Sequence, residues 1–181
     1  DYYVCLLSAA EVHGFAHQRP QVFQVMTPAR LRNRSFGRVH VVFVSSAHMA
    51  DRPTQEVNTP TGTMRVSTIE TTVLDLVAFP HLSGSLFNVA TVIGDMLQDQ
   101  ALDVARVAEV AAGYPAATVQ RTGWLIDFMA EEVGVEIDTD GLIPIAEARA
   151  TPTLLDSGGG RWGEHDDRWN VIVNEELEPE S

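Results

Sequence analysis

The sequence predicts an α+β fold: a small mixed β-sheet packed by helices, then a helical lobe, then a C-terminal β-hairpin. Three observations point there. The apolar, largely β-branched runs at 22–27, 39–45 and 62–66 have the length and alternation of strands. From Ser83 to about Gly134 the apolar residues recur at helical spacing instead. Two further short apolar runs, 153–155 and 169–173, flank a glycine-rich stretch. The pattern divides the chain into an α/β core over 1–81, a helical lobe over 82–150 and a hairpin with an acidic tail over 151–181. All three fit within the length of one compact domain.

In chain order, residues 1–13 are apolar on nearly every side. Tyr3, Leu6, Leu7 and Ala10 follow helical spacing, which predicts a buried helix ending at Gly14, with Asp1 placed to cap it. Strands follow at 22–27 and 39–45. The polar PARLRNRSFGR stretch between them reads as a connection, and so does most of 46–61 with Pro53 and Pro60. A short strand at 62–66 places Met64 and Val66 on one face. Ser67-Thr-Ile-Glu70 has the form of a capping box, and the helix behind it puts Ile69, Val73, Leu76 and Val77 together before Pro80. Helices are expected at 85–97, 102–112 and 115–133, with Asp99, Gly113 and Pro115 at the joints. A short helix is expected at 142–148. The runs 153–155 and 169–173 then pair across SGGGRWGEHDD as a long hairpin loop, returning toward the sheet. The polar, acidic end is expected to fray.

Composition narrows the chemistry. The chain has 181 residues with 12 Lys+Arg, all arginine, against 25 Asp+Glu. Residues 1–80 hold 7 arginines and 6 acids; residues 81–181 hold 5 and 19. The second half therefore repels a nucleic-acid backbone and suits a basic partner or solubility. A chain this long buries about 70% of its extended surface and needs no disulfide or metal to fold. One cysteine excludes an intrachain disulfide and agrees with a reducing cytosol. No uncharged apolar run reaches membrane-spanning length, and no charged leader precedes an apolar stretch. The first residue is Asp1 rather than Met, so a fragment is expected.

Candidate reactive groups each meet an ordinary explanation. His13 and His17 have the four-residue spacing of a zinc pair on a helix. Gly14 lies between them and no third ligand is set, so capping or packing is expected. Gly158-Gly-Gly160-Arg161 lacks the strand-loop-helix context of a phosphate cradle and reads as a flexible tip. Glu164, His165, Asp166 and Asp167 are a ligand-rich cluster without calcium-loop spacing. Cys5 lies among apolar neighbours that make a thiol inert. Arg30, Arg32, Arg34 and Arg38 form the local cationic cluster. Four guanidiniums within nine residues bind phosphates or a carboxylate-rich surface in bidentate fashion, or dock the chain's own acidic half. Both alternatives stand at this level.

Three stretches carry a family resemblance. YYVCLLSAAEVHGFAHQRPQVFQV (2–25), with Ala10, His13, Gly14, His17 and Gln18, resembles the start of the C-terminal region of AbiEi-type antitoxins. GTMRVSTIETTVLDL (62–76) is similar to that family's strand and capped helix at Ser67, Glu70, Thr72, Val73, Leu74 and Asp75. Thr71 stands where the family often has arginine. RWNVIVNEELE (168–178) resembles the family's closing strand. The likeness is strongest over 1–80, and its motifs, His13, Gly14, His17, Ser67, Glu70 and Asp75 among them, are structural rather than catalytic.

The resemblance implies a cytoplasmic bacterial antitoxin and transcriptional autoregulator of a toxin–antitoxin or abortive-infection system. It implies an upstream winged-helix domain that contacts DNA and lies outside this sequence. It also implies a cognate nucleotidyltransferase-type toxin, countered directly or indirectly; some members act without a stable toxin complex. No enzymatic activity, cofactor or membrane partner is implied, and the oligomeric state is left open. The residues expected to touch a partner or phosphate are Arg30, Arg32, Arg34 and Arg38. The rival readings are a dimerisation or interaction module of a DNA-binding regulator and a metal-dependent hydrolase built on Glu164–Asp167.

Overall fold

The structure is a computed structural model and describes residues 1–17 and 20–178. It is a mixed α+β fold. Six strands form the larger sheet: β1 (Tyr3–Val4), β2 (Phe23–Thr27), β3 (Arg34–Phe36), β4 (Val39–Ser45), β5 (Thr54–Thr59) and β6 (Gly62–Ser67), in the order β3-β4-β2-β1-β6-β5. β1 runs antiparallel to β2 and parallel to β6; β2 and β4 are parallel. The hairpins β3–β4 and β5–β6 close the two edges.

The N-terminal helix is shorter than its composition predicts. Tyr3–Val4 is a central strand, and α1 (Leu6–Val12) begins only after Cys5. Leu6, fully buried with φ 52°, makes the turn between them. A strand buried on both faces shows no polar alternation, so its periodicity matches that of a buried helix. Asp1 does not cap α1; it pairs with Arg65 at 2.8 Å. The N-terminus of α1 has no side-chain cap, and the buried Gln24 of β2 takes up part of that need. Its Oε1 accepts from the Leu7 N–H at 2.9 Å, while its Nε2 donates to the Leu82 carbonyl at 2.7 Å.

Two edge strands, β3 and β5, lie where the polar composition predicts loop. Edge strands are blunted by polar and charged residues, so they lack the apolar alternation that marks β2 and β4. The sheet separates two apolar clusters. Tyr3, Met26 and Val44 face the main core, whereas Val4, Val66 and Ala9 form a smaller one. Neighbouring residues of β1 thus point to opposite faces, as the two-residue strand period requires.

α2 (Ile69–Ala78) is the hub, packed against α1 and the three long helices that follow. Its cap sits one residue later than the Ser67 box predicts. Thr68 is the N-cap, with Oγ1 accepting from the Thr71 N–H at 3.3 Å. Ser67 remains in β6, where its hydroxyl meets the Thr72 hydroxyl at 2.7 Å. α3 (Leu86–Gln98) is capped by Ser85 and α4 (Val104–Ala111) by Asp103. α5 (Ala116–Val133) follows Pro115 and ends at Gly134, φ 70°. The helix expected at 142–148 is the four-residue α6 (Ile143–Ala146) after a 3-10 turn.

The C-terminal strands form a separate sheet in the order β7-β9-β8, from β7 (Thr153–Leu154), β8 (Glu164–Asp166) and β9 (Val171–Val173). The antiparallel hairpin is β8–β9. The stretch expected to pair with the last strand across the long loop lies on its other side and runs parallel to it. These strands pack on α5 instead of joining the first sheet. Gly163 explains the return. A Cβ there would sit 2.0 Å from the Val173 carbonyl oxygen, so the backbone approaches as only glycine allows. Trp169, 1% exposed, anchors this sheet against Gly123 of α5 and donates its indole N–H to Asp127 at 2.7 Å.

Candidate functional site

Residues 28–40 are exposed throughout. Pro28 follows β2, and the Thr27 hydroxyl donates to the Ala29 carbonyl at 2.9 Å, which sets the exit direction. Asn33 Oδ1 accepts from the Phe43 N–H at 3.1 Å and ties the loop to β4. The hairpin turns through Gly37, φ 61°, at the first position of a two-residue loop between the paired Phe36 and Val39. Ser35 and His40 meet across the strands at 2.7 Å. On this frame Arg30, Arg32, Arg34 and Arg38 all project into solvent, and none is ion-paired with a described acid. Leu31, Phe36 and Val39 are exposed among them at 47%, 61% and 52%. Arg30 and Arg32 also line a cleft of about 670 Å³ with Val42, Phe43 and Leu82. The face can grip planar anions with guanidiniums and cover apolar side chains at the same time.

Beneath the sheet lies a closed polar cluster around Asp75, which is fully buried on α2. Tyr3 donates to Oδ2 at 2.8 Å and Tyr114 to Oδ1 at 2.7 Å. Arg52 Nη1 reaches Oδ1 at 3.0 Å and the Tyr3 oxygen at 3.3 Å, and its guanidinium lies over the Tyr114 ring, 4.3 Å from the centroid. Burial pushes the Asp75 carboxyl above its ordinary range, while Arg52, Tyr114 and Tyr3 pull it back. Burial also raises both phenols, and Asp75 adds to that rise. The cluster joins β1, the segment before β5, α2 and the α4–α5 connection. Both phenols and Arg52 Nη1 are spent on the carboxylate, which suits a strut, while the buried Arg52 Nε has no hydrogen-bond partner among the described residues. Tyr3, Arg52 and Tyr114 are missed by sequence reasoning because they lie 72, 23 and 39 residues from Asp75. The only local signal is an acid inside the apolar TVLDLVA run, which demands a buried cation or donors.

The two histidines serve different elements. His13 is the C-cap of α1, beside Gly14 at φ 86°, and its Nε2 lies 2.7 Å from the Ser67 carbonyl oxygen. His17 Nε2 lies 2.6 Å from Asp95 Oδ2 on α3. Gln18 lies outside the described residues. Glu70 is buried in the first turn of α2. In the Glu164–Asp167 cluster, His165 contacts Asp167 at 3.0 Å and Asn170 at 2.7 Å, while Asp166 accepts the Trp169 N–H at 2.8 Å. Among the described residues no group of three or more His, Cys, Asp or Glu is arranged to hold a metal. Cys5 is fully buried, and burial, with Asp75 nearby, raises its thiol well above the ordinary value.

A hub helix thus packs under a mixed sheet that carries an exposed cationic hairpin at one edge. Residues 2–128 match the AbiEi antitoxin C-terminal domain, and the chain belongs to that family. The matched stretch contains the arginine hairpin and the whole Asp75 cluster; the resemblance seen at 168–178 falls outside it. In fold, the chain is similar to the crystal structure of the RV2827C protein from Mycobacterium tuberculosis, with a TM-score of 0.63 and 14% identity. The likeness covers 94% of this chain and 61% of that one, so the chain spans about three fifths of its neighbour's length. No curated protein matches the chain. Family membership supports an antitoxin or regulator role. The family is not known for enzymatic activity. No helix among the described residues is long and apolar enough to cross a membrane.

Proposed function

We propose that the chain is the antitoxin-effector domain of an AbiEi-like autoregulator and that it counters a nucleotidyltransferase-type toxin without chemistry of its own. DNA reading is assigned to a separate winged-helix segment. The effector face is the β3–β4 hairpin with Arg30, Arg32, Arg34 and Arg38. One observation carries this reading: four guanidiniums within nine residues are exposed, and none is ion-paired with an acid of the described residues, although 19 acids lie in the second half of the chain. Unpaired cations on a rigid hairpin are preorganised for a carboxylate surface or for the phosphates of a toxin's nucleotide or RNA substrate. The interspersed Leu31, Phe36 and Val39 supply apolar area that a phosphate alone does not use, which favours a protein surface.

Co-expression with the neighbouring toxin gene tests the proposal. Growth rescue by this chain is the expected result; no rescue from soluble, folded chain overturns the effector role. Replacing the four arginines with alanine is expected to abolish rescue, and rescue equal to the parent's removes the hairpin from the mechanism. A pull-down from the same cells separates direct capture from indirect antagonism.

A further inference from the structure

The glycine-rich stretch 158–160 reads in sequence as a flexible tip, but the structure pins it. Asn174, 3% exposed, accepts from the Asp156 N–H at 2.8 Å and donates to the Asp156 and Gly160 carbonyls, both at 2.9 Å. A Cβ on Gly159 would lie 2.8 Å from the Asn174 amide nitrogen, and one on Gly160 would lie 2.9 Å from the Trp162 ring. The glycines therefore serve close packing. What this pinned turn presents is Trp162, 59% exposed. A large indole held in solvent on a fixed turn is a costly feature for a surface to keep without use.

Trp162 lines a cleft of about 550 Å³ together with Trp124 of α5. The Trp124 ring stacks on Phe128, with centroids 4.9 Å apart and planes 11° from parallel, so its orientation is also set. The remaining walls include Glu164, His165, Asp166, Glu175 and Glu176; no arginine lines the cleft, and the His165 ring is held by Asp167 at 3.0 Å and Asn170 at 2.7 Å. Asp166 is occupied by the Trp169 N–H, but Glu164, Glu175 and Glu176 have no ion-pair partner among the described residues. Two indoles and three unneutralised carboxylates select among ligands. A phosphate is repelled, an uncharged apolar segment would strip water from the carboxylates without return, and a planar cation gains from both walls.

We infer that this cleft captures an arginine side chain from a basic segment of a partner protein, with the guanidinium against Trp162 and Trp124 and its N–H groups toward Glu164, Glu175 and Glu176. All of these residues except Trp124 lie beyond the stretch that matches the family. The surface is distinct from the arginine hairpin and opposite to it in charge. It does not depend on the identity of any toxin.

The test uses the whole chain and an acetylated, amidated tetra-arginine peptide as probe, followed by calorimetry and indole fluorescence at physiological salt. Saturable one-to-one binding is expected. Trp162→Ala should weaken it more than tenfold and Trp162→Phe should largely restore it; Trp162 is exposed, so the fold is retained. The paired Glu175→Gln and Glu176→Gln change should also weaken it more than tenfold. This second variant carries the test if the tryptophan variant fails to fold. Binding unchanged by Trp162→Ala would show attraction to the anionic half in general and overturn the assignment. So would a thymidine oligonucleotide that binds more tightly than the peptide and loses its binding with Trp162.

Discussion

Asp75 sets the energetic stakes among single residues. Its carboxylate is cut off from water and answered by one guanidinium and two phenols. Removing one member of such a buried pair leaves the other charge uncompensated, so Asp75→Ala is expected to cost roughly 3–5 kcal/mol. Tyr114→Phe removes one hydrogen bond to a charged group and keeps the ring beneath Arg52, so about 1.5–3 kcal/mol is expected. Urea denaturation of the two variants checks both values; an Asp75→Ala loss as small as that of an ordinary surface change would dismantle the strut. Cys5 follows the same logic of burial. Its raised pKa and lack of exposure predict no reaction with a thiol reagent at pH 8 in the native state, and full reaction on unfolding. Rapid stoichiometric labelling of folded protein would contradict this. None of these contacts was legible in sequence, because each partner of Asp75 comes from a different element. Only the anomaly of an acid within an apolar helix was visible.

At the scale of the element, local chemistry predicts well where it is local. The bounds of α3 and α5 follow from Ser85, Pro115 and Gly134, and β4 from its β-branched run, because caps and alternation act within a few residues. The α2 cap shows where this fails. Ser67 and Thr68 are both competent caps, and the tie is broken by β6, which keeps Ser67 as a strand residue paired with Thr54. Thr68→Ala is therefore expected to cost about 1 kcal/mol by losing the helix cap. Ser67→Ala should act only through its hydroxyl contact with Thr72. Equal thermal shifts in the two variants would be consistent with the capping box instead. β3, β5 and β8 are hidden for a common reason: strands at sheet edges carry polar side chains, so they resemble loop in composition. Gly163→Ala tests the C-terminal return. With φ 113° and a carbonyl where the Cβ would go, strain of at least about 2 kcal/mol is expected, read as a lower denaturation midpoint.

Across the whole molecule, charge and topology divide the labour. The cationic hairpin extends from one edge of the larger sheet, while the aromatic and acidic cleft sits at the smaller sheet on α5. The four hairpin arginines have no ion-pair partner among the described residues, so replacing them together should leave the denaturation midpoint unchanged while antitoxin action is lost. A large drop in stability would reveal a structural role that the geometry does not show. Sequence was enough to establish the α+β class, the long helices, the charge division and the family likeness, since all of these rest on local periodicity, composition and short motifs. Folding decided the rest: that Tyr3–Val4 is a central strand, that Asp75 is enclosed by distant phenols and Arg52, that β7 and β9 run parallel, and that Trp124 and Trp162 share a cleft. These depend on which distant segments meet, and a chain's local propensities do not encode the pairing of residues tens of positions apart.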